Sequence, residues 1–150
     1  MKILIMGDSH GNIANIKHVL GFAKNIDAKT VIHTGDWNNF ENIKTVTDFD
    51  IPLYSCLGNA DIDPRFDFNE FIEFQIDGIK IGLTHKPANI SKYFGNKDID
   101  IVFCGHLHSK DEIYIGKMRV VRPGALKNEI NFAVFDTKTK MVEFVNENQI

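Results

Sequence analysis

Five short polar bursts hold most of the residues in this 150-residue chain that can do chemistry. They are Asp8-Ser9-His10, Gly35-Asp36, Gly58-Asn59-Ala60-Asp61, Thr84-His85 and Gly105-His106-Leu107-His108, and they contain four of the six histidines. Carboxylate, imidazole and amide oxygen without thiolate are donors for borderline divalent ions such as manganese, iron, cobalt, nickel or zinc, not for copper(I) or iron–sulfur clusters. Residues two apart on extended backbone project to the same side. Asp8 with His10, and His106 with His108, can therefore each offer a donor pair to one site, and two pairs point to more than one metal. Glycine precedes Asp8, Asp36, Asn59 and His106, at junctions that call for close backbone approach or unusual dihedrals. A single burst reads as a turn; five in a chain with six histidines read as a site.

Each burst closes a short apolar run. The runs Ile3–Met6, Thr30–His33, Leu53–Leu57, Phe71–Ile76, Lys80–Thr84 and Ile101–Cys104 predict strands. Ile13, Ile16, Val19, Leu20 and Ala23 recur at helical spacing after Asn12, which can cap the first turn. Shorter helices are expected over Phe40–Thr47 and after Pro87, the latter with Ile90, Tyr93 and Phe94 as its apolar face. Asp77-Gly78 and Gly116-Lys117 read as hairpin turns, and Asn131–Phe135 with Met141–Val145 as a third hairpin, so the sheet is mixed. Strands of an open α/β sheet deliver their carboxyl ends to one rim, where loops gather residues distant in sequence. No repeat or linker interrupts the chain, and we expect one domain over residues 1–150 without a cap domain.

Composition narrows the partners. Seventeen Lys+Arg against twenty Asp+Glu leave a net charge of −3, which disfavours binding of long nucleic acid or an anionic membrane. No apolar stretch approaches the ~20 residues of a membrane span, and the start of the chain does not read as a signal peptide. Cys56 and Cys104 lie in apolar runs without metal-knuckle or disulfide spacing; they read as small core residues of a reducing, cytoplasmic compartment.

Taken in order, the five blocks resemble the calcineurin-like metallophosphoesterase superfamily, which uses Asp-x-His, Gly-Asp, Gly-Asn-x-Asp or Glu, a later His, and Gly-His-x-His. The blocks run from Asp8 to His108, and the compact length resembles the small bacterial and archaeal phosphodiesterase branch. The resemblance implies a four-layer αββα sandwich of two mixed β-sheets flanked by helices. It implies two divalent ions, manganese ahead of nickel, zinc, iron or cobalt. One ion would take Asp8, His10, Asp36 and His108, the other Asp36, Asn59, His85 and His106, with Asp36 as the bridge. A hydroxide between ions about 3.5–4 Å apart, not a side chain, would then be the nucleophile. Asp61 would either hold a metal-bound imidazole in its working tautomer or cap its loop. Asp36, Asn59, His85 and Asp61 are thus the expected catalytic set.

The departures from the family pattern shape the expected activity. Many relatives place His, and some Cys, where this chain has Ala60, so a candidate acid for the leaving group is missing. Hydrolysis of a small phosphodiester or nucleotide is therefore expected ahead of phosphomonoester or phosphoprotein hydrolysis. A non-catalytic scaffold like the retromer subunit of this fold is the third reading, opposed by the full ligand set. Lys86 stands where relatives often have Gly and can reach a phosphate or face water. Trp37 and Asn38 can wall a substrate pocket, or Trp37 can pack inside. Arg122-Pro123-Gly124-Ala125 replaces the Asn and Ser of the relatives' Asn-Pro-Gly-Ser turn, with Arg122 a candidate phosphate contact. His18 reads as an exposed helix residue and His33 either as a plain strand residue or as one that supports the site from behind, and neither is assigned to metal. Phe66, Phe68, Phe71 and Phe74 read as an alternating strand or as a self-association patch, and a homo-oligomer remains open.

Overall fold

Three separate apolar cores divide the chain into four layers. The computed structural model describes residues 1–150 and contains β1 (Lys2–Met6), α1 (Ile13–Asn25), β2 (Thr30–His33), α2 (Asn42–Thr47), β3 (Leu53–Ser55), β4 (Phe71–Ile76) and β5 (Ile79–Thr84). There follow α3 (Ile90–Phe94), β6 (Ile101–Phe103), β7 (Lys110–Ile115), β8 (Met118–Pro123), β9 (Asn131–Asp136) and β10 (Val142–Asn146). Side chains alternate across a strand, so β1 sends Leu4 and Met6 to one face and Ile3 and Ile5 to the other. Leu4 and Met6 meet Ile16, Val19, Leu20 and Ala23 of α1, the stripe expected from the sequence. Ile3 and Ile5 meet Ile81, Leu83, Phe103 and Val121 of the second sheet, while Ile90 and Phe94 of α3 cover Val102, Met118 and Val120 on its far side. The result is the expected αββα sandwich.

Both sheets are mixed and five-stranded, in the orders β10-β9-β1-β2-β3 and β4-β5-β6-β8-β7. Parallel neighbours need crossovers; α1 and α2 supply those of β1–β2 and β2–β3. The antiparallel pairs β4–β5, β7–β8 and β9–β10 are the three expected hairpins. Asn12 caps α1 by accepting from the Asn15 amide at 3.1 Å.

The structure departs from the sequence reading in several places. β3 stops at Ser55: the Cys56 amide still reaches the His33 carbonyl of β2 at 3.4 Å, but the Leu57 amide donates to the Asn69 carbonyl instead. The helix expected from Phe40 starts only at Asn42, and α3 is preceded by a 3-10 turn over Pro87–Asn89. The four phenylalanines form no common patch: Phe66 and Phe68 pack on the core beneath the helices, Phe71 on Tyr93, and Phe74 on Tyr54. Cys56 and Cys104 are buried free thiols, and burial pushes Cys104 up to about 12, which makes it unreactive at neutral pH. No helix is long and apolar enough to cross a membrane.

Candidate metal centre

The loops after β1, β2, β3, β5 and β6 meet at one rim and bring all seven expected donors together. Donor atoms of Asp8, His10 and His108 lie within 4.8 Å of one another, and so do those of Asp36, His85 and His106. Asp36 joins the two groups, its Oδ2 standing 3.5 Å from His10 Nε2 and 3.1 Å from His85 Nε2. Asp8 Oδ1 lies 3.6 Å from His108 Nε2, and the His10 and His108 Nε2 atoms face each other at 3.2 Å. Asn59 Oδ1 stands 3.1 Å from His106 Nδ1, extending the second group.

Backbone geometry aims these donors. Asp8, His10, Asp36, His106 and His108 all adopt positive φ, between 44° and 77°. For non-glycine residues this costs of order 1 kcal/mol or more each and persists only where the surroundings dictate it. Here each loop is held by the next. The Asp8 amide donates to the Gly35 carbonyl at 3.0 Å, His10 to Asp36 at 2.9 Å, and Gly105 to His85 at 2.9 Å. The Ala60 amide donates to Asp36 Oδ1 at 2.8 Å and the His106 amide to Asp8 Oδ2 at 3.0 Å, so each carboxylate is oriented by a neighbouring loop. The loops approach so closely that a Cβ at Gly58 would sit 2.2 Å from Asp36 N and Oδ1, and one at Gly7 would sit 1.8 Å from Thr34 Oγ1. Close approach is the physical reason for these two glycines.

The supporting residues differ in part from expectation. Asp61 touches no imidazole; its Oδ2 accepts from the amides of Asp36 and Gly58 at 3.0 and 2.8 Å, and its Oδ1 from Asn38 at 3.0 Å. It ties the third loop to the second, which is the capping alternative. The imidazole holder is the Thr34 carbonyl, 2.8 Å from His85 Nδ1. A backbone carbonyl can only accept, so Nδ1 carries a proton, and in the neutral imidazole that leaves Nε2 bare toward the rim. No sequence signal marks a backbone carbonyl for this task. His33 is fully buried, accepts from the Gly35 amide at Nδ1 (3.0 Å) and bonds Ser9 Oγ through Nε2 (2.9 Å), linking the first two loops.

Trp37 forms no substrate wall: it is fully buried, stacks on His33 at 3.7 Å and donates to Ser55 Oγ at 2.9 Å. Arg122 is engaged with Ser109, its Nε donating to the carbonyl at 2.6 Å, so it is not free for a phosphate. His18 is exposed on α1, away from the donors. Beside His85 and Asn59 opens a polar cleft of about 120 Å³, lined also by Glu70, Thr84, Lys86 and Asn89. A larger groove of about 630 Å³ lies between the far ends of α1 and α2 and holds none of the donors.

Electrostatics show what the cluster is suited to hold. Burial, reinforced by the Asp36 charge, pushes Asp8 up from 3.8 to about 7 against the opposing pull of His85 and the His106 amide. Burial acts the same way on Asp36, but His85 and the Ala60 amide outweigh it and hold that carboxyl low. His85 is raised because Asp36 outweighs its burial, whereas burial and neighbouring positive charge lower His106 and His108. His85 Nε2 is buried with no partner besides the Asp36 carboxylate, whose Oδ2 stands 3.1 Å away. A buried imidazole nitrogen and a destabilised carboxylate facing the same space fit divalent cations.

The fold and this donor set define a class. Residues 1–140 match the calcineurin-like phosphoesterase superfamily domain, and the chain belongs to that superfamily. It is 27% identical, over 138 residues covering 83% of each chain, to Phosphodiesterase MJ0936 of Methanocaldococcus jannaschii. A solved archaeal phosphodiesterase superposes with a TM-score of 0.84 at 24% identity, covering 97% of this chain and 99% of that one. Vacuolar Protein Sorting 29 from Cryptosporidium parvum superposes with a TM-score of 0.68 at 19% identity, covering 97% and 96%. At these identities the two structures establish a likeness of fold.

Proposed function

We propose that this chain is a divalent-metal-dependent phosphodiesterase that hydrolyses a small phosphodiester or nucleotide at a two-metal centre. The observation that carries the reading is Asp36 Oδ2, a single oxygen that faces both donor groups at 3.5 and 3.1 Å. Asp8, His10, Asp36 and His108 would hold one ion, and Asp36, Asn59, His85 and His106 the other. When bound, the ions supply positive charge for the phosphoryl oxygens and hydroxide at neutral pH.

The chain's own contribution is orientation. The Ala60 amide holds Asp36 Oδ1, leaving Oδ2 for the shared position. The Thr34 carbonyl holds the Nδ1 proton of His85, leaving Nε2 as a donor. The Ala60 methyl group offers no proton to a departing alkoxide, so good leaving groups and diesters are favoured over alkyl monoesters. The name of the archaeal relative supports the diesterase reading. The complete donor set weighs against the scaffold alternative. One uncapped domain and a cytoplasmic location complete the proposal, the latter supported by two buried free thiols.

The test is to strip the protein with chelator, resupply manganese, nickel or zinc, count metal per chain, and compare a nitrophenyl diester with the matching monoester. About two ions per chain and faster diester turnover are expected. Absence of bound metal overturns the proposal, and faster monoester turnover transfers the site to the phosphatase reading.

A further inference from the structure

β7 is the only strand with all six residues exposed. It ends the second sheet and pairs only with β8, so one row of its backbone donors and acceptors has no strand partner. Soluble proteins protect such edges with charge, proline, bulges or a covering element. Lys110, Asp111 and Glu112 protect the first half of β7, but Ile113, Tyr114 and Ile115 follow at 47%, 67% and 41% exposure. The other edge of the same sheet differs: on β4, Phe71 stacks on Tyr93 and Phe74 on Tyr54.

We infer that β7 pairs antiparallel with β7 of a second copy of this chain, about a twofold axis through Tyr114, to make a homodimer. The register follows from side-chain complementarity. An axis through Asp111 or Glu112 sets like carboxylates against each other. One through Ile113 sets Asp111 against the partner's Ile115. An axis through Tyr114 sets Ile113 against the partner's Ile115, twice by symmetry, and carries Asp111 past the end of the paired strands toward the long side chain of the partner's Lys117 in the β7–β8 turn. Both members of that ion pair are available: Lys117 forms no ion pair within the chain, and Asp111 only a distant one with Arg122 at 3.7 Å. Ile113 and Ile115 lie beside Val120 and Met118 of β8, on the face that packs with α3. Four isoleucines thereby continue that core across the axis.

Only Glu112 to Gly116 overlap, so the interface falls below the ~1,200 Å² of standard stable complexes and the expected affinity is micromolar. β7 begins at Lys110, four residues or about 13 Å of strand from Tyr114, and His108 lies before that start, so the metal donors fall outside the paired segment.

Sedimentation equilibrium on the full chain, from about 1 to 300 μM, tests the inference. The mass is expected to rise toward twice that of one chain. Ile113→Lys should stay monomeric throughout, with unchanged metal content and diester turnover, which separates this test from that of the enzymatic proposal. Asp111→Lys and Lys117→Asp should each weaken the dimer about fivefold, and the two together should restore it. A constant single-chain mass, or a dimer that survives Ile113→Lys, overturns the inference. Failure of the double exchange to rescue overturns the Tyr114 register.

Discussion

In metal-free protein, Asp8→Asn should stabilise the fold, and by an amount that depends on pH. Asp8 is inaccessible to solvent, and burial followed by the Asp36 charge lifts it from 3.8 to about 7. Between these values the folded chain keeps a proton that the unfolded chain has released. The contribution to stability is therefore full below pH 3.8 and is lost as pH rises through about 7. At pH 8 the ionised carboxylate costs the folded state about 4 kcal/mol, at 1.36 kcal/mol per pH unit. Asn resembles the protonated acid and does not titrate. The chelator-treated variant should thus melt roughly 10 °C above wild type at pH 8, with the gap shrinking to roughly 2 kcal/mol at pH 5. Saturating manganese should reverse the order, because the ion stabilises the wild-type site and the variant lacks the carboxylate. Thermal unfolding by circular dichroism at several pH values reads all three outcomes. A gap independent of pH, or a metal-free wild type more stable than the variant at pH 8, would refute the reasoning.

Other substitutions probe separate parts of the site. Asp36→Asn removes the oxygen shared by both donor groups and should lower bound metal and diester turnover by at least a hundredfold (~3 kcal/mol), whereas His18→Ala on α1 should change neither; equal effects would contradict the assigned centre. Asp61→Ala leaves the amides of Asp36, Gly58 and Asn38 without their acceptor and should cost about 3 kcal/mol in urea unfolding; an unchanged midpoint would show that water replaces the carboxylate. Gly58→Ala places a methyl group against Asp36 and should reduce metal content more than it changes helical circular dichroism. Ala60→His should raise monoester turnover; no gain would rule position 60 out as a source of the missing acid.

Much of this architecture is legible in the sequence because its signals are local. The period-two apolar runs and the helical stripe of Ile16, Val19, Leu20 and Ala23 state which faces must be buried, and those are the faces of the observed cores. Strand ends were less legible. Cys56 and Leu57 continue an apolar run, and only the Asn69 carbonyl shows that the Leu57 amide has left the ladder. In sequence Trp37 is ambiguous, because an indole beside an aspartate suits a ligand wall or a core, and the space between His33 and Phe68 decides for the core.

The sequence by itself determined the donor types, their grouping at run ends and the glycines beside them, since these are chemical identities and spacings along one chain. Tertiary structure alone decided that Asp36 faces both groups and that Asp61 holds amides, not an imidazole. It also decided that Thr34 orients His85 and that five donors sit at positive φ. Each of these depends on contacts between loops from different strands, and a backbone carbonyl or a strained dihedral leaves no mark in side-chain identity until the packed sheets bring those loops together.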